Sequence, residues 1–426
     1  MQNLSVIKPP PQAVPRRRFE FNLEGLRGFA AVVVIFNHVV VHKNSLDPGY
    51  FLKGDWVTAP PGHSSVLLFF ILSGYVIGLT NKSSLTRSTI GPYLSKRLIR
   101  LYPIYVVSLV FALLIARTHY SLGTIAGNFL FLQNTVVPCT QENSPLWSLN
   151  YEAVYYLAFI PISYYGIAPI RVCIAAAFLG IIFTTVLPMP LAGSYSFGFV
   201  FWSIGLWLAQ SNRLATSYTS FWLLLGLLAL FLGYESLNPL VLGVFLMDTK
   251  LHIHFASQFR QANVLFEDLA RIPFLLYLFI RFTNYTIKWE RLALSYFICS
   301  GFLYYFRIFF KYGFDAPLTS ALLVPVIFLT IGTVLIVFSY SRPQPQNVVP
   351  LPTVFLKLGA ISYGVYAIHF PMSLFLSHFS FFSGSLFTFS CRLLLDIALV
   401  LTAGYFLELK LQPAVKKLFM PNKDNR

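Results

Sequence analysis

Charged side chains are scarce in this sequence of 426 residues. Asp, Glu, Lys and Arg together make up 11% of it, whereas an ordinary soluble domain carries about a quarter. Hydrophobic residues make up 56%, and the mean hydropathy is +0.67. This balance excludes a soluble globular fold. Apolar runs of roughly 17 to 25 residues, the length that an α-helix needs to cross a hydrocarbon core, recur along most of the chain.

Acidic residues are the scarcer of the two charges. The 15 Asp and Glu face 31 Lys and Arg, which gives a formal net charge of +16. In a soluble protein such an excess would suggest nucleic acid as a partner. Here the basic residues cluster in short loops between apolar runs, as they do in the cytoplasmic loops of membrane proteins. We therefore predict membrane lipid as a partner and no nucleic acid.

Cysteine is also scarce. Of the four cysteines, Cys173, Cys299 and Cys391 lie in apolar runs, where a thiol behaves as a small hydrophobic group, and Cys139 stands alone in a polar stretch. No two of them have the spacing of a metal site or of a disulfide framework. We therefore expect no metal cofactor.

The apolar runs predict an all-α fold, a polytopic transmembrane bundle of about ten to twelve spans with both termini cytoplasmic. Because both ends lie on one side, the number of crossings must be even, and it depends on the ambiguous segment 235–291. The predicted domains are a basic, proline-rich cytoplasmic tail over 1–21, a membrane domain over 22–410 and a basic cytoplasmic tail over 411–426. The predicted spans lie near 25–43, 64–80, 101–118, 146–165, 169–187, 195–211, 219–234, 293–310, 317–340, 355–379 and 385–408.

Ionisable side chains inside a bilayer are costly, so each of them is a candidate functional residue. The first span places Arg27 and His38 eleven positions apart, close to three helical turns. Their side chains therefore fall on nearly one face, about 16 Å apart along the axis. A neutral histidine in an apolar setting accepts a proton from a hydroxyl group, which is the role of a general base. The alternative is a histidine that only packs between helices and bonds a backbone carbonyl group.

Two arginines lie three positions apart, on one helical face, where the third span begins. These are Arg97 and Arg100. Two forked guanidinium groups suit the phosphates of a nucleotide-bearing coenzyme such as an acyl-CoA. The alternative is that both arginines only mark the cytoplasmic side of the membrane.

A glutamate lies about two turns inside the fourth span. Ser144 and Pro145 fit the N-cap and first position of this helix, which places Glu152 within the bilayer. Its carboxylate would either orient the imidazole of His38 or hold an acceptor hydroxyl group. Other buried charges are expected mostly to pair with one another within the bundle, namely Arg307, His369, Arg392, Asp396 and Glu408.

Four blocks of the sequence, in order, resemble acyltransferase family 3, a family of integral-membrane proteins whose members modify cell-surface and other glycans. A fifth block resembles the penultimate helix of that family, so the resemblance runs from about 22 to 410. Glu24 stands where the family more often has Asp. The blocks are EGLRGFAA from Glu24 with His38 downstream, FILSGY from Phe70, RLIRLYP from Arg97, LWSLNYE from Leu146 and ISYGVYAIHFP from Ile361.

The resemblance implies an O-acyltransferase that moves an acyl group, acetyl by default, from cytoplasmic acyl-CoA to a hydroxyl group of a glycan or glycolipid such as a polysaccharide or lipopolysaccharide. It implies a catalytic His38 that works with Arg27, and donor binding by Arg97 and Arg100. We add Glu152 to the catalytic group and expect a multi-pass protein of the bacterial inner membrane. Two aromatic residues of the blocks, Trp147 and Tyr75, are predicted to bind substrate. For Tyr75 the alternative is a role in helix packing.

Two other functions fit parts of the sequence. A secondary transporter of a small polar solute also combines many helices with buried charges, although no internal repeat is found. His42 and Asp47 match the His-x-x-x-x-Asp spacing of glycerolipid acyltransferases, but two residues at one spacing are a weak signal.

Overall fold

The computed structural model describes residues 16–55, 57–211, 219–251, 262–285, 287–314, 316–341 and 353–420. Within these ranges the chain is helical and forms no strand, which confirms the predicted all-α fold. Most of the predicted N-terminal tail, the end of the predicted C-terminal tail and the middle of the ambiguous segment 235–291 lie outside the described residues. The described part of the first helix begins at Arg16, inside the predicted N-terminal tail.

The described chain contains 17 α-helices. Two 3₁₀ turns, Gln141–Leu146 and Phe266–Arg271, lead into α5 and α10, and a π-helical turn, Leu407–Leu411, joins α16 to α17. The α-helices are α1 Arg16–Val41, α2 Gly62–Thr80, α3 Arg87–Leu114, α4 Leu122–Phe129, α5 Trp147–Tyr164, α6 Pro169–Thr185, α7 Pro190–Gln210, α8 Phe221–Leu237, α9 Pro239–Leu251, α10 Ile272–Phe282, α11 Glu290–Tyr312, α12 Pro317–Ala321, α13 Leu323–Ser341, α14 Thr353–Ala360, α15 Ser362–Ser377, α16 Leu386–Phe406 and α17 Gln412–Phe419.

Eight stretches of the described helices are long and apolar enough to cross a membrane, so the chain is a polytopic membrane protein. The pair α14 and α15, bent by 79° where they meet, makes a ninth if it is one span. This number is smaller than the ten to twelve spans expected. The runs 146–165 and 169–187 do form helices, but α6 has only 17 residues, and the inner face of α5 carries polar side chains that lower its hydropathy.

Close contacts through glycine hold α2 against α7. A Cβ atom at Gly74 would overlap the carbonyl oxygen of Trp202, and one at Gly205 would overlap that of Ile71. The sequence predicts such a close approach at Gly74, because small residues let helix backbones meet in membranes. The crossing fixes how α2 is rotated against α7, and with it the direction in which the neighbouring Ser73 faces.

The chain between α3 and α5 packs its last turns into the bundle. Asn143, in the 3₁₀ turn before α5, donates a hydrogen bond of 3.1 Å to the carbonyl oxygen of Ala367 on α15. One turn later the hydroxyl groups of Ser148 and Tyr366 lie 2.6 Å apart. The α-helix itself begins at Trp147, three residues after the predicted cap, because the preceding residues form the 3₁₀ turn. The N-terminus of α5 is therefore held against α15.

We predict that Gly74→Ala destabilises the protein, because the added methyl group cannot enter the α2–α7 crossing. The expected loss of unfolding free energy is about 1–3 kcal/mol or more, the usual cost of overpacking. Gly91→Ala on α3 is the matched control, since a Cβ there meets nothing within 4 Å. Thermal unfolding of the detergent-purified variants measures both. Equal unfolding temperatures for the two variants would contradict the tight crossing.

Candidate active site

A contact between two histidines joins α1 to α15. Nδ1 of His38 lies 2.9 Å from Nε2 of His369, and the stacked rings have centroids 5.0 Å apart. Nδ1 of His369 in turn lies 2.6 Å from the carbonyl oxygen of Tyr366, one turn earlier on α15. His38 on the first span thus contacts a residue more than 300 positions away in the sequence.

This series of hydrogen bonds determines where the protons lie. A carbonyl oxygen only accepts, so Nδ1 of His369 donates to Tyr366 and, in a neutral ring, its Nε2 accepts. Nδ1 of His38 must then be the donor to His369. The other nitrogen of His38, Nε2, carries the lone pair, and this is the form that takes a proton from a hydroxyl group.

His42 and Phe370 complete the surroundings of His38. The ring centroid of His42 lies 5.4 Å from that of His38, and Phe370 meets both rings edge-on at 4.9 and 5.6 Å. His42 lies just beyond the end of α1, and burial lowers its pKa, which favours the neutral ring beside His38. Among the described residues, no group of three or more His, Cys, Asp or Glu side chains is arranged to hold a metal ion.

Glu152 does not contact His38. Its carboxylate accepts a hydrogen bond of 2.8 Å from the hydroxyl group of Ser73 and another from Tyr156, one turn later on α5. The hypothesis that Glu152 orients the imidazole of His38 is therefore wrong, and His369 takes that place. The sequence grouped His369 with structural charges because no spacing indicates which helix packs against α1.

A cavity of about 330 Å³ lies between α1, α2, α3, α5 and α15. The charged residues that line it are Arg27, Arg97, Arg100 and Glu152, so positive charge predominates in its wall. Arg27 of the pair on α1 and both arginines of the pair on α3 thus line one cavity, whereas His38 is not among its lining residues. Hydroxyl groups also line it, those of Ser73, Ser148, Tyr156, Ser362, Tyr363 and Tyr366.

The two arginines of α3 have different partners. Nη2 of Arg97 donates a hydrogen bond of 3.0 Å to the hydroxyl group of Thr80, and its guanidinium lies near the rings of Tyr93 and Tyr156. Arg100 forms an ion pair with Glu408, whose two carboxylate oxygens lie 2.6 and 3.3 Å from its terminal nitrogens. Arg100 is thus occupied by an acidic partner within the protein.

Tyr366 connects the arginine-lined cavity to the histidine pair. Its side chain lines the cavity, while its carbonyl oxygen accepts the hydrogen bond from His369. Its hydroxyl group is held by Ser148 and by the carbonyl oxygen of Pro145, 2.9 Å away. A ligand in the cavity therefore lies one helical turn of α15 from the partner of His38.

A larger cavity of about 1420 Å³ adjoins the first one, and Arg27, Leu72 and Val76 line both. Its other lining residues include the chain after α2, residues 81–84. This stretch opens the basic loop that the sequence predicts to be cytoplasmic. The arrangement gives a bulky ligand an approach to the arginines from the C-terminal end of α2.

The two aromatic residues predicted to bind substrate lie apart. Tyr75 lines the larger cavity, and its ring meets Phe279 edge-on at 5.1 Å. Trp147 packs edge-on against Phe70 and Tyr151 and is not among the residues that line either cavity described above.

Asp47 has a structural environment. Its carboxylate accepts hydrogen bonds from the backbone of Gly49 and Gly384 at 2.9 and 3.1 Å and from the hydroxyl group of Thr388 at 3.1 Å. It thereby fastens the loop after α1 to the connection between α15 and α16. Among the described residues, no hydrogen bond or ion pair joins it to His42, so the His-x-x-x-x-Asp spacing does not form a dyad.

The fold and the site together define a polytopic membrane protein in which two histidines in hydrogen-bond contact lie near a cationic cavity. A family model described as an acyltransferase domain, Acyl_transf_3, matches residues 20–408, nearly the whole chain. The chain belongs to this family, which confirms the resemblance seen in the sequence and makes the protein an acyltransferase that transfers groups other than aminoacyl groups. Neither a curated protein nor a solved structure matches the chain.

We predict that His38 is protonated on Nδ1 and unprotonated on Nε2 at neutral pH. Solid-state ¹⁵N NMR of histidine-labelled protein in lipid measures the tautomer, and the His38→Gln variant identifies the signals by their loss. His119→Gln, which changes an exposed histidine between α3 and α4, is the control for assignment. Signals of the opposite tautomer at His38 would contradict the hydrogen bonding inferred for His369.

Proposed function

We propose that this protein is an O-acyltransferase that moves an acyl group, acetyl by default, from acyl-CoA to a hydroxyl group of a membrane-associated glycan or glycolipid. Membership of the acyltransferase family supports the reaction class. The observation that carries the proposal is the contact of Nδ1 of His38 with His369, from which we infer an accepting Nε2, on the same helix as Arg27 of the cationic cavity.

The donor enters with its phosphates in the arginine-lined cavity. Guanidinium groups suit phosphates in both charge and geometry. The larger cavity admits the bulky nucleotide, and the slim acyl-bearing arm extends past Tyr366 toward His38. Arg27 lies about 16 Å from His38 along α1, so we assign it to the negative charge of the donor and not to the reacting carbonyl group.

The reaction exchanges one ester for another. Nε2 of His38 takes the proton of the acceptor hydroxyl group while its oxygen attacks the thioester carbonyl carbon. The tetrahedral intermediate collapses, the carbon–sulfur bond breaks, and the coenzyme A thiolate takes the proton back from His38. His369 keeps Nδ1 of His38 occupied, so that only Nε2 exchanges protons during the cycle.

Glu152, with Ser73 and Tyr156, forms a polar group in the cavity wall that we assign to substrate hydroxyl groups or to the donor arm. We further propose that the chain spans the inner membrane of a bacterium with both termini in the cytoplasm, as its basic loops suggest. His38 then lies toward the outer side. A cytoplasmic donor would acylate an extracytoplasmic polysaccharide or lipopolysaccharide.

We expect deletion of the gene to remove an alkali-labile acyl mass from the surface glycans or glycolipids of the source cell. Wild-type protein restores this mass, whereas His38→Ala at matched protein level lowers ester formation by about 10²–10⁴-fold, the usual contribution of a general base. His119→Ala, a change of an exposed histidine, restores the mass and controls for expression. Mass spectrometry of the glycans measures the ester and names the acyl group.

Two results would contradict the proposal. Full restoration by His38→Ala would remove His38 from the chemistry. An unchanged set of esters after deletion, together with loss of solute flux across membrane vesicles, would instead favour the transporter that the sequence left open.

A further inference from the structure

The three arginines of the cavity differ in how their charge is balanced. Arg27 pairs with Glu24 at 2.9 Å, and Arg100 pairs with Glu408 at 2.6 Å. Arg97 has no carboxylate within 4.0 Å among the described residues, and its Nε is buried without a hydrogen-bond partner. A buried donor without a partner is unfavourable, and a negatively charged ligand in the cavity would give it one.

The pair formed by Arg100 and Glu408 is one that a ligand cannot separate easily. The side chain of Glu408 is only 2% exposed, whereas that of Arg100 is 36% exposed. A phosphate that drew Arg100 away would leave a buried carboxylate without a counter-charge, which is strongly unfavourable. Gln412 ties the arginine further, since its side chain accepts from Nη1 at 3.0 Å and donates to the backbone of Arg100 at 3.2 Å.

The location of Glu408 explains why this ion pair exists. Glu408 lies in the π-helical turn that interrupts the helices at the C-terminal end of the last span. Such turns are rare and often occur at functional sites. Here the widened turn carries the carboxylate to α3, so that the C-terminal helices are fastened to the helix that bears Arg97.

The pair formed by Arg27 and Glu24 differs from the pair at Arg100. The two residues lie one turn apart on α1, and their side chains are 23% and 36% exposed. Solvent screens such a pair, so it contributes little and opens readily. Arg27 also lines both cavities, on the route that a ligand would take to Arg97.

We propose that Arg97 and Arg27 hold the phosphates of the donor, and that Arg100 is a positioning residue whose charge Glu408 neutralises. This inference rests on the proposed function, because it names the contacts of the acyl-CoA donor. The sequence predicts that Arg97 and Arg100 bind phosphates together. The inference assigns Arg97 to the ligand and Arg100 to an ion pair that joins two helical segments.

Isothermal titration calorimetry of coenzyme A with the purified full-length protein in lipid nanodiscs tests whether Arg97 and Arg100 have these different roles. Arg97→Gln weakens coenzyme A binding about tenfold or more, as expected for the loss of hydrogen bonds to a charged group, and Arg27→Gln weakens it several-fold. Arg100→Gln alone lowers the unfolding temperature, because Glu408 is left unpaired. The double variant R100Q/E408Q recovers that temperature and binds coenzyme A within about threefold of wild type, since no ligand contact has been lost.

A folded R100Q/E408Q protein that binds coenzyme A as weakly as R97Q would overturn the inference, since Arg100 would then touch the donor. The matched control is R281Q/E290Q, which removes an ion pair of 3.0 Å on α10 and α11 that lines neither cavity. We expect it to leave coenzyme A binding unchanged. Wild-type protein that binds no coenzyme A would refute the proposed donor and this inference together. If the wild-type protein binds coenzyme A but R100Q/E408Q binds it as weakly as R97Q, only the different roles of Arg97 and Arg100 are refuted.

Discussion

The cost of placing a charge in a low-dielectric interior governs this structure. Glu235 pairs with Arg271 at 2.8 Å, and Arg271 also contacts Asp268 at 3.1 Å. Burial opposes the ionisation of Asp268, but His63 and Arg271 outweigh it and lower its pKa. Glu235 and Glu408 thus each have a cation, and each of these two pairs joins segments that are distant in the sequence. The ion pairs that neutralise these carboxylates therefore also hold separate segments of the bundle together.

The site differs from this rule in two ways. We propose that His38 and His369 avoid the cost of a buried charge as two neutral rings bonded to one another, which leaves a proton acceptor in an apolar setting. Arg97 keeps a charge that no carboxylate within 4.0 Å balances among the described residues, at the wall of a cavity. We propose that this neutral base and this unbalanced cation, connected through Tyr366, serve acyl transfer from an anionic donor.

The sequence predicts the features that depend on residues near one another in the chain. Scarcity of charge and apolar runs predict the helical membrane fold, and the spacing of Arg27 and His38 on one helix holds in α1. The prediction fails where the answer depends on packing between helices. Glu152 and His369 lie on α5 and α15, and no local pattern tells which of them meets His38. Likewise, the partner of Arg100 comes from a π-helical turn about 300 positions later, which apolar periodicity does not reveal.

We propose that one ligand reaches from the cationic cavity to the histidine pair. A structure of the protein in lipid with bound coenzyme A tests it most directly. We expect the phosphates to contact Arg97. We expect the sulfur to lie about 3–4 Å from Nε2 of His38, or farther by the room that one oxygen atom of an acceptor between them needs, as a near-attack geometry requires. Coenzyme A bound with its sulfur pointing away from α15, or phosphates outside the arginine-lined cavity, would contradict the account.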